Sequence, residues 1–208
     1  MKHEWRKHEK AIYLPKPQPT QLKVPAFNYF TVEGAGNPND EFFGDYVQTL
    51  YALSYAVKMS PKKGLAPSGY EEYTVYPLEG VWDISQEAKK KGIEHFDKSD
   101  LVFKLMIRQP DFVDANYAVE TIERVKEDKP NVLLEKVRFE NIEEGDCIQM
   151  LHLGPYDSEP ESFARMEELA EKNGWMRSSR KHREIYLSDA RRVPPEKLKT
   201  TLRFKVKK

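Results

Sequence analysis

Two stretches of this chain read as one structural unit written twice. His152-Leu153-Gly154 stands in the second stretch where Val32-Glu33-Gly34 stands in the first. Phe43 follows Gly34 at the same offset at which Phe163 follows Gly154. Near the end of each copy, Leu101-Val102-Phe103-Lys104 is echoed by Leu202-Arg203-Phe204-Lys205. A duplicated unit of this size predicts a pseudo-symmetric pair with a cleft between the halves, and clefts are where small ligands sit.

Local patterns give each copy the same order of elements. In the first copy an aromatic, β-branched run predicts a strand over about 27–32, and Gly34, Gly36 and Pro38 break it. Asp40 is a good N-cap for a helix with Phe43, Val47, Leu50, Ser54 and Val57 on one stripe, ending before Pro61. A second strand is expected at about Tyr73–Leu78 and a third at about Asp100–Ile107. Pro110 opens a connector helix over about 110–130, striped by Phe112, Ala115, Val119, Ile122 and Val125. In the second copy the first strand ends at Leu153 and Gly154-Pro155 turns the chain. A helix follows, with Pro160 in its first turn and Asn173-Gly174 as its stop. Strands at about Glu184–Ser188 and Thr201–Val206 complete it. The expected fold is α+β: a tandem pair of strand–helix–strand–strand modules forming an antiparallel sheet, with helices on one face and a ligand groove on the other. Module one covers 24–108 and module two 137–206, within one domain over 23–208. Residues 1–22, with Pro15, Pro17 and Pro19, read as a surface arm docked by Trp5, Ile12, Tyr13 and Leu14.

Composition narrows the function classes. Lys plus Arg equals Asp plus Glu at 34 each, which weakens an electrostatic case for nucleic acid or an anionic membrane. No apolar run approaches the ~20 residues of a membrane span. Cys147 is the single cysteine, so no intrachain disulfide exists and a reducing cytoplasm is the simplest compartment. Its apolar neighbours predict a buried, inert thiol. His3, His8, His95 and His182 show no metal-ligand spacing, and neither a phosphate loop nor a nucleophile elbow is present. No cofactor and no metal are expected. The partner is a small molecule, and the protein is a monomer or homodimer.

Alternation in the second strand of the second copy points to a site. Ile185 and Leu187 are expected to face the helix carrying Phe163 and Met166, so that Glu184 and Tyr186 project from the opposite face. Tyr156, in the loop after the preceding strand, reaches the same wall. Tyr76 and Trp82 are the first copy's aromatics nearest the counterpart of Glu184, which falls at Thr74, and Glu79 is a second acid there. One pocket lined by Tyr76, Trp82, Tyr156, Tyr186 and Glu184 is therefore predicted, with His152 at its edge. A carboxylate among rings pairs with a cationic ligand or, with its pKa raised by burial, serves as an acid or base. A tyrosine hydroxyl there can donate to a developing oxyanion. The plainer alternative is a solvated Glu184 paired with Arg183 or Lys181, and a structural His152.

His152-Leu153-Gly154-Pro155-Tyr156, the helix ending Asn173-Gly174-Trp175, and Glu184-Ile185-Tyr186-Leu187 together resemble the GyrI-like small-molecule-binding domain. The same domain is the effector-binding half of multidrug-responsive MerR-class regulators and ends some AraC-class regulators. The likeness is close over about 145–206 and looser over about 24–108. It implies a tandem-module fold with a ligand groove in which Glu184 meets cationic drugs and Tyr156 lines the wall. Some stand-alone members are hydrolases that open the cyclopropane of reactive DNA-alkylating natural products. Nothing upstream of residue 24 reads as a helix-turn-helix. The resemblance implies binding of amphipathic aromatic or cationic molecules in detoxification, with a hydrolase using Glu184 and Tyr156 as the alternative. A haem or tetrapyrrole carrier is a third reading, resting on His152 alone. The segment 79–99 exceeds the minimal module and is a candidate lid.

Overall fold

The computed structural model describes residues 2–92 and 97–208. His95 and part of the candidate lid therefore lie outside the described residues. The fold mixes helices with antiparallel strands, in agreement with the α+β expectation. Its elements are α1 (Trp5–His8), α2 (Lys10–Tyr13), β1 (Thr20–Ala35), α3 (Glu41–Met59), β2 (Leu78–Ile84), α4 (Gln86–Lys91) and β3 (Leu101–Gln109). They continue with α5 (Ala115–Asp128), β4 (Arg138–Leu153), α6 (Glu159–Lys172), β5 (Met176–Arg177), β6 (His182–Tyr186) and β7 (Lys199–Lys207). The chain forms two compact units. Unit 1 comprises Met1–His3, Phe27–Leu78 and Trp82–Ile142; unit 2 comprises Glu4–Ala26, Glu79–Val81 and Glu143–Lys208.

In unit 1, β1 and β3 pair antiparallel, with Asn28 opposite Gln109 and Gly34 opposite Phe103. Gly34 is required by packing. A Cβ there would meet the Phe103 ring at 2.5 Å, and that ring packs edge-on against Phe43 and Tyr46 of α3. Helix α3 starts immediately after Asp40, as expected, although the Asp40 side chain makes no capping bond. On the opposite face of β1 and β3, Glu33 stands across from Lys104. Lys104 bridges Glu33 and Glu140 at 3.0 Å each, beside a cavity of about 300 Å³.

The second strand of unit 1 departs from expectation. Strand β2 starts at Leu78, and Tyr73 makes only an isolated bridge to His3. Pro77 lacks the amide hydrogen a ladder needs, so the aromatic run before it is excluded from regular pairing. Tyr73 and Tyr76 are buried as loop residues.

Unit 2 is organised on β7, which pairs antiparallel with β4, β5 and β6. Its alternation sorts the residues onto two faces. On the α6 face, Ile148, Met150, Leu202 and Phe204 pack with Met166 and Ala170. On the other face lies a buried ionic network. Arg183 reaches Glu79 at 2.5 Å and Glu144 at 2.9 Å, and Arg203 reaches Glu144 at 2.6 Å and Gln149 at 2.8 Å. Two arginines meet two glutamates, so the formal charge cancels. Burial alone would raise the Glu144 pKa, but the two guanidiniums hold it below the usual carboxylate range. Burial dominates at Glu79 and raises its pKa despite Arg183.

The N-terminal segment is more than a surface arm. Trp5 and Tyr13 are buried, and β1 begins at Thr20. The backbone carbonyls of Ala11, Ile12, Tyr13 and Lys16 accept hydrogen bonds from Gln149, Arg203, Thr201 and the Leu151 amide. A proline-rich segment offers few amide donors but keeps its carbonyls, and unit 2 supplies the donors.

Replacing Glu144 by Gln should remove about 3–5 kcal/mol of stability, because it takes the negative charge shared by two buried guanidiniums and leaves Arg203 with neutral acceptors only. Urea denaturation at neutral pH measures this. A loss below about 1 kcal/mol would show that the network relaxes without cost.

Candidate active site

The site residues of unit 2 gather at the N-terminal end of α6. Gly154 adopts a φ of +124°, a conformation side-chain-bearing residues avoid, and turns the chain out of β4. Tyr156–Ser158 form a short turn and α6 starts at Glu159, with Pro160 in its first turn. His152 clamps this corner. It is 4% exposed, with Nδ1 2.9 Å from the Ser162 hydroxyl and Nε2 3.0 Å from the Pro155 carbonyl. Both ring nitrogens are thus engaged in holding strand to helix, and neither is left for an iron. The haem reading loses its support.

Glu184 lies on the α6 face, opposite to the expected side. Its Cα partner across β6 and β7 is Leu202, which packs against Met166. Ile185 instead pairs with Thr201, whose hydroxyl bonds the Tyr13 carbonyl on the other face. Alternation fixed the parity of the strand correctly. Assigning the faces by hydrophobicity failed because the other face, with Arg183 and Arg203, is charged yet buried.

Around Glu184 the structure assembles residues that the sequence reading combined only in part. Its Oε1 is 3.0 Å from Nε2 of His182, whose ring packs edge-on against Phe163 at 4.7 Å. A carboxylate only accepts, so this contact assigns the Nε2 hydrogen to His182 when Glu184 is ionised. The rings of Tyr156 and Tyr186 meet edge to face at 6.2 Å. Burial first, and then the charges of Glu184, Glu159 and Asp189, push the Tyr156 hydroxyl up to about 12, so it is a donor at neutral pH. Glu184 is 9% exposed and Tyr156 38%, which leaves one open side to the cluster.

Glu159 and His182 were missed as site residues. A carboxylate oxygen of Glu159, a His182 ring nitrogen and a carboxylate oxygen of Glu184 lie within 4.8 Å of one another. One nitrogen and two oxygens could also hold a divalent cation. Burial, followed by the charges of Glu184 and Asp157, pushes the Glu159 carboxyl up to about 10. His182 was legible as His-x-Glu on one strand face. Glu159 had no signal beyond its place at the helix start.

Two predicted pocket residues sit in the interior of unit 1. Trp82 stacks on Phe43 at 5.9 Å and packs against Phe103 at 5.4 Å. Tyr76 lies beside Tyr73 and under the Arg108 guanidinium, 4.5 Å from its ring centre. Glu79 is taken up by Arg183. Cys147 is buried and its thiol is pushed up to about 12, mainly by burial, as expected of an inert cysteine.

Residues 17–207 match the family model of the GyrI-like small molecule binding domain. The chain belongs to the GyrI-like family. A hydrolase encoded by lin2189 of Listeria innocua is 37% identical over 100% of both chains, with a TM-score of 0.89. An uncharacterized conserved protein from the same organism is 36% identical over 99% of this chain and 100% of that one, with a TM-score of 0.88. The EcmrR C-terminal domain is 15% identical over 95% of this chain and 99% of that one, and its TM-score of 0.52 speaks to the fold alone. No match is found among the curated proteins. Among the described residues, no helix is long and apolar enough to cross a membrane.

Glu159 gives stability a pH dependence of definite sign. In the unfolded chain a glutamate ionises near pH ~4.3, whereas the folded protein keeps this proton to a much higher pH. The contribution of Glu159 to stability is therefore complete below the unfolded value and declines as pH rises towards the folded one. Denaturation at a series of pH values between about 5 and 9 should show this decline in the wild type, and Glu159→Gln should flatten it.

Proposed function

We propose that this GyrI-like protein hydrolyses an amphipathic, aromatic electrophile at the Glu184 cluster. The observation that carries the reading is a buried glutamate, oriented by His182, beside a tyrosine hydroxyl that keeps its proton. The near-complete coverage of a Listeria hydrolase at 37% identity supports it. Glu184 accepts a proton from water as the water oxygen attacks the electrophilic carbon. Tyr156 donates a hydrogen bond to the oxygen on which negative charge develops. Tyr186 and Tyr156 offer ring surface to an aromatic substrate. The substrate class we favour is a strained three-membered ring conjugated to a carbonyl, as in cyclopropane-bearing DNA alkylators. The chain then acts on a small molecule in detoxification and has no role on nucleic acid. A balanced charge of 34 basic and 34 acidic residues supports that last point.

A second reading is sequestration of cationic aromatics without turnover. The same ring pair beside a carboxylate supports it, because ring faces and an anion both attract a cation. We also read the two strand–helix runs, β1 with α3 and β4 with α6, as copies of one duplicated module, with Phe43 matching Phe163.

Turnover of a cyclopropane-bearing alkylator separates the readings. Product should accumulate beyond one equivalent of protein. Glu184→Gln should lower kcat by roughly a hundredfold or more with the substrate still bound, the usual scale for losing a general base. Tyr156→Phe should lower kcat with less effect on KM. Under sequestration, no product forms, and Glu184→Gln weakens cationic ligands while sparing neutral ones of similar shape. If binding and turnover both survive Glu184→Gln, Glu184 leaves the mechanism.

A further inference from the structure

The Glu184 cluster contains a second carboxyl with no role in the reading above. Glu159 is 6% exposed, and its Oε1 has no hydrogen-bond partner among the described residues. Its carboxyl lies within 4.8 Å of the Glu184 carboxyl and the His182 ring. Two buried carboxyls this close disfavour one another's charge, and burial adds to that at Glu159. The surroundings decide which member carries a proton. Glu184 accepts a hydrogen bond from His182 at 3.0 Å. Among the described residues, the charges that act on the Glu159 carboxyl are those of Glu184 and Asp157, both negative. The α6 N-terminus pulls the other way, because a helix start favours a negative charge beside it. Burial and two negative neighbours outweigh it.

We propose that Glu159 is the proton donor of this site and the acid partner of Glu184. The inference rests on the hydrolase reading. Two carboxyls whose surroundings separate their protonation states are an acid and a base. The step balances between them. A water oxygen forms a bond to the electrophilic carbon while Glu184 takes the water proton. The bond from that carbon to the departing atom breaks, and its electron pair moves onto the departing group. That group, steadied by the Tyr156 hydroxyl, takes the proton of Glu159. Glu159 is left ionised and Glu184 protonated. One proton passing back from Glu184 to Glu159 restores the starting state, and the net change is addition of one water. His182 is the positioning residue, because its Nε2 lies 3.0 Å from the Glu184 carboxyl and fixes its orientation.

Infrared difference spectroscopy of the purified protein at neutral pH, wild type against Glu159→Gln, tests the proton directly. The wild type should show the carbonyl band of a buried carboxylic acid, shifted in heavy water, and Glu159→Gln should lack it. With a cyclopropane-bearing alkylator as substrate, Glu159→Gln should lower kcat by roughly a hundredfold or more, leave KM within about threefold, and remove the alkaline limb of the kcat–pH profile. Glu159→Asp keeps an acid and should retain the band and part of the rate. It also serves if Glu159→Gln does not fold. Wild-type turnover with no such band, or an undiminished kcat in Glu159→Gln, overturns the proposal. So does stoichiometric metal in the purified protein, since an ion held by Glu159, His182 and Glu184 would replace the proton. An inactive wild type sinks the hydrolase reading and the donor role with it, while the band still reports the proton independently.

Discussion

The buried pairing of Arg183 and Arg203 with Glu79 and Glu144 is the constraint on which unit 2 depends. Four charges taken out of water are tolerable only when each is matched and bonded, and removing one leaves a buried charge alone. The requirement fixes the register of β6 on β7, where Arg183 lies opposite Arg203. A slip of β6 by one residue would turn Arg183 onto the apolar α6 face and Glu184 into the network. The same network accounts for the N-terminal segment, whose Ile12 carbonyl fills a remaining Arg203 donor.

Because Arg183 and Glu184 are neighbours in one strand, the network also defines the site. Strand geometry sends adjacent side chains to opposite faces. Anchoring Arg183 to Glu79 therefore delivers Glu184 to the start of α6, where His182, Glu159, Tyr156 and Tyr186 surround it. His152 pins the corner from the strand side through Ser162 and Pro155. The cluster thus rests on a strand held by ions and a helix held by a histidine. Such support keeps side chains within tight tolerances.

Unit 1 contributes a contrasting interior. Its aromatics pack against one another, and the close approach at Gly34 allows Phe103 to lie across β1 beneath α3. Trp82 and Tyr76 have the composition expected of a ligand wall, yet their ring faces are occupied by Phe43, Phe103 and the Arg108 guanidinium. An aromatic side chain satisfies a core and a binding wall by the same chemistry, and sequence pattern does not separate the two.

Local chemistry determined a good deal of this protein from sequence alone. Pro160 and Asn173-Gly174 bounded α6, Pro61 and Asp40 bounded α3, and Gly154 marked the turn before the site, because these residues act through their own backbone. The likeness of the His152–Tyr156 and Glu184–Leu187 strings to the GyrI-like domain identified the family. Alternation showed that Glu184 and Tyr186 share a face. Tertiary structure alone decided which face. Arg183 and Arg203 on the other face are buried in an ion network with Glu79 and Glu144, and charge balance across four strands is invisible to a pattern of period two. Glu159 joins Glu184 only through the meeting of helix and strand, 25 residues apart in sequence. Its retained proton follows from burial and neighbouring charge, which no local signal records.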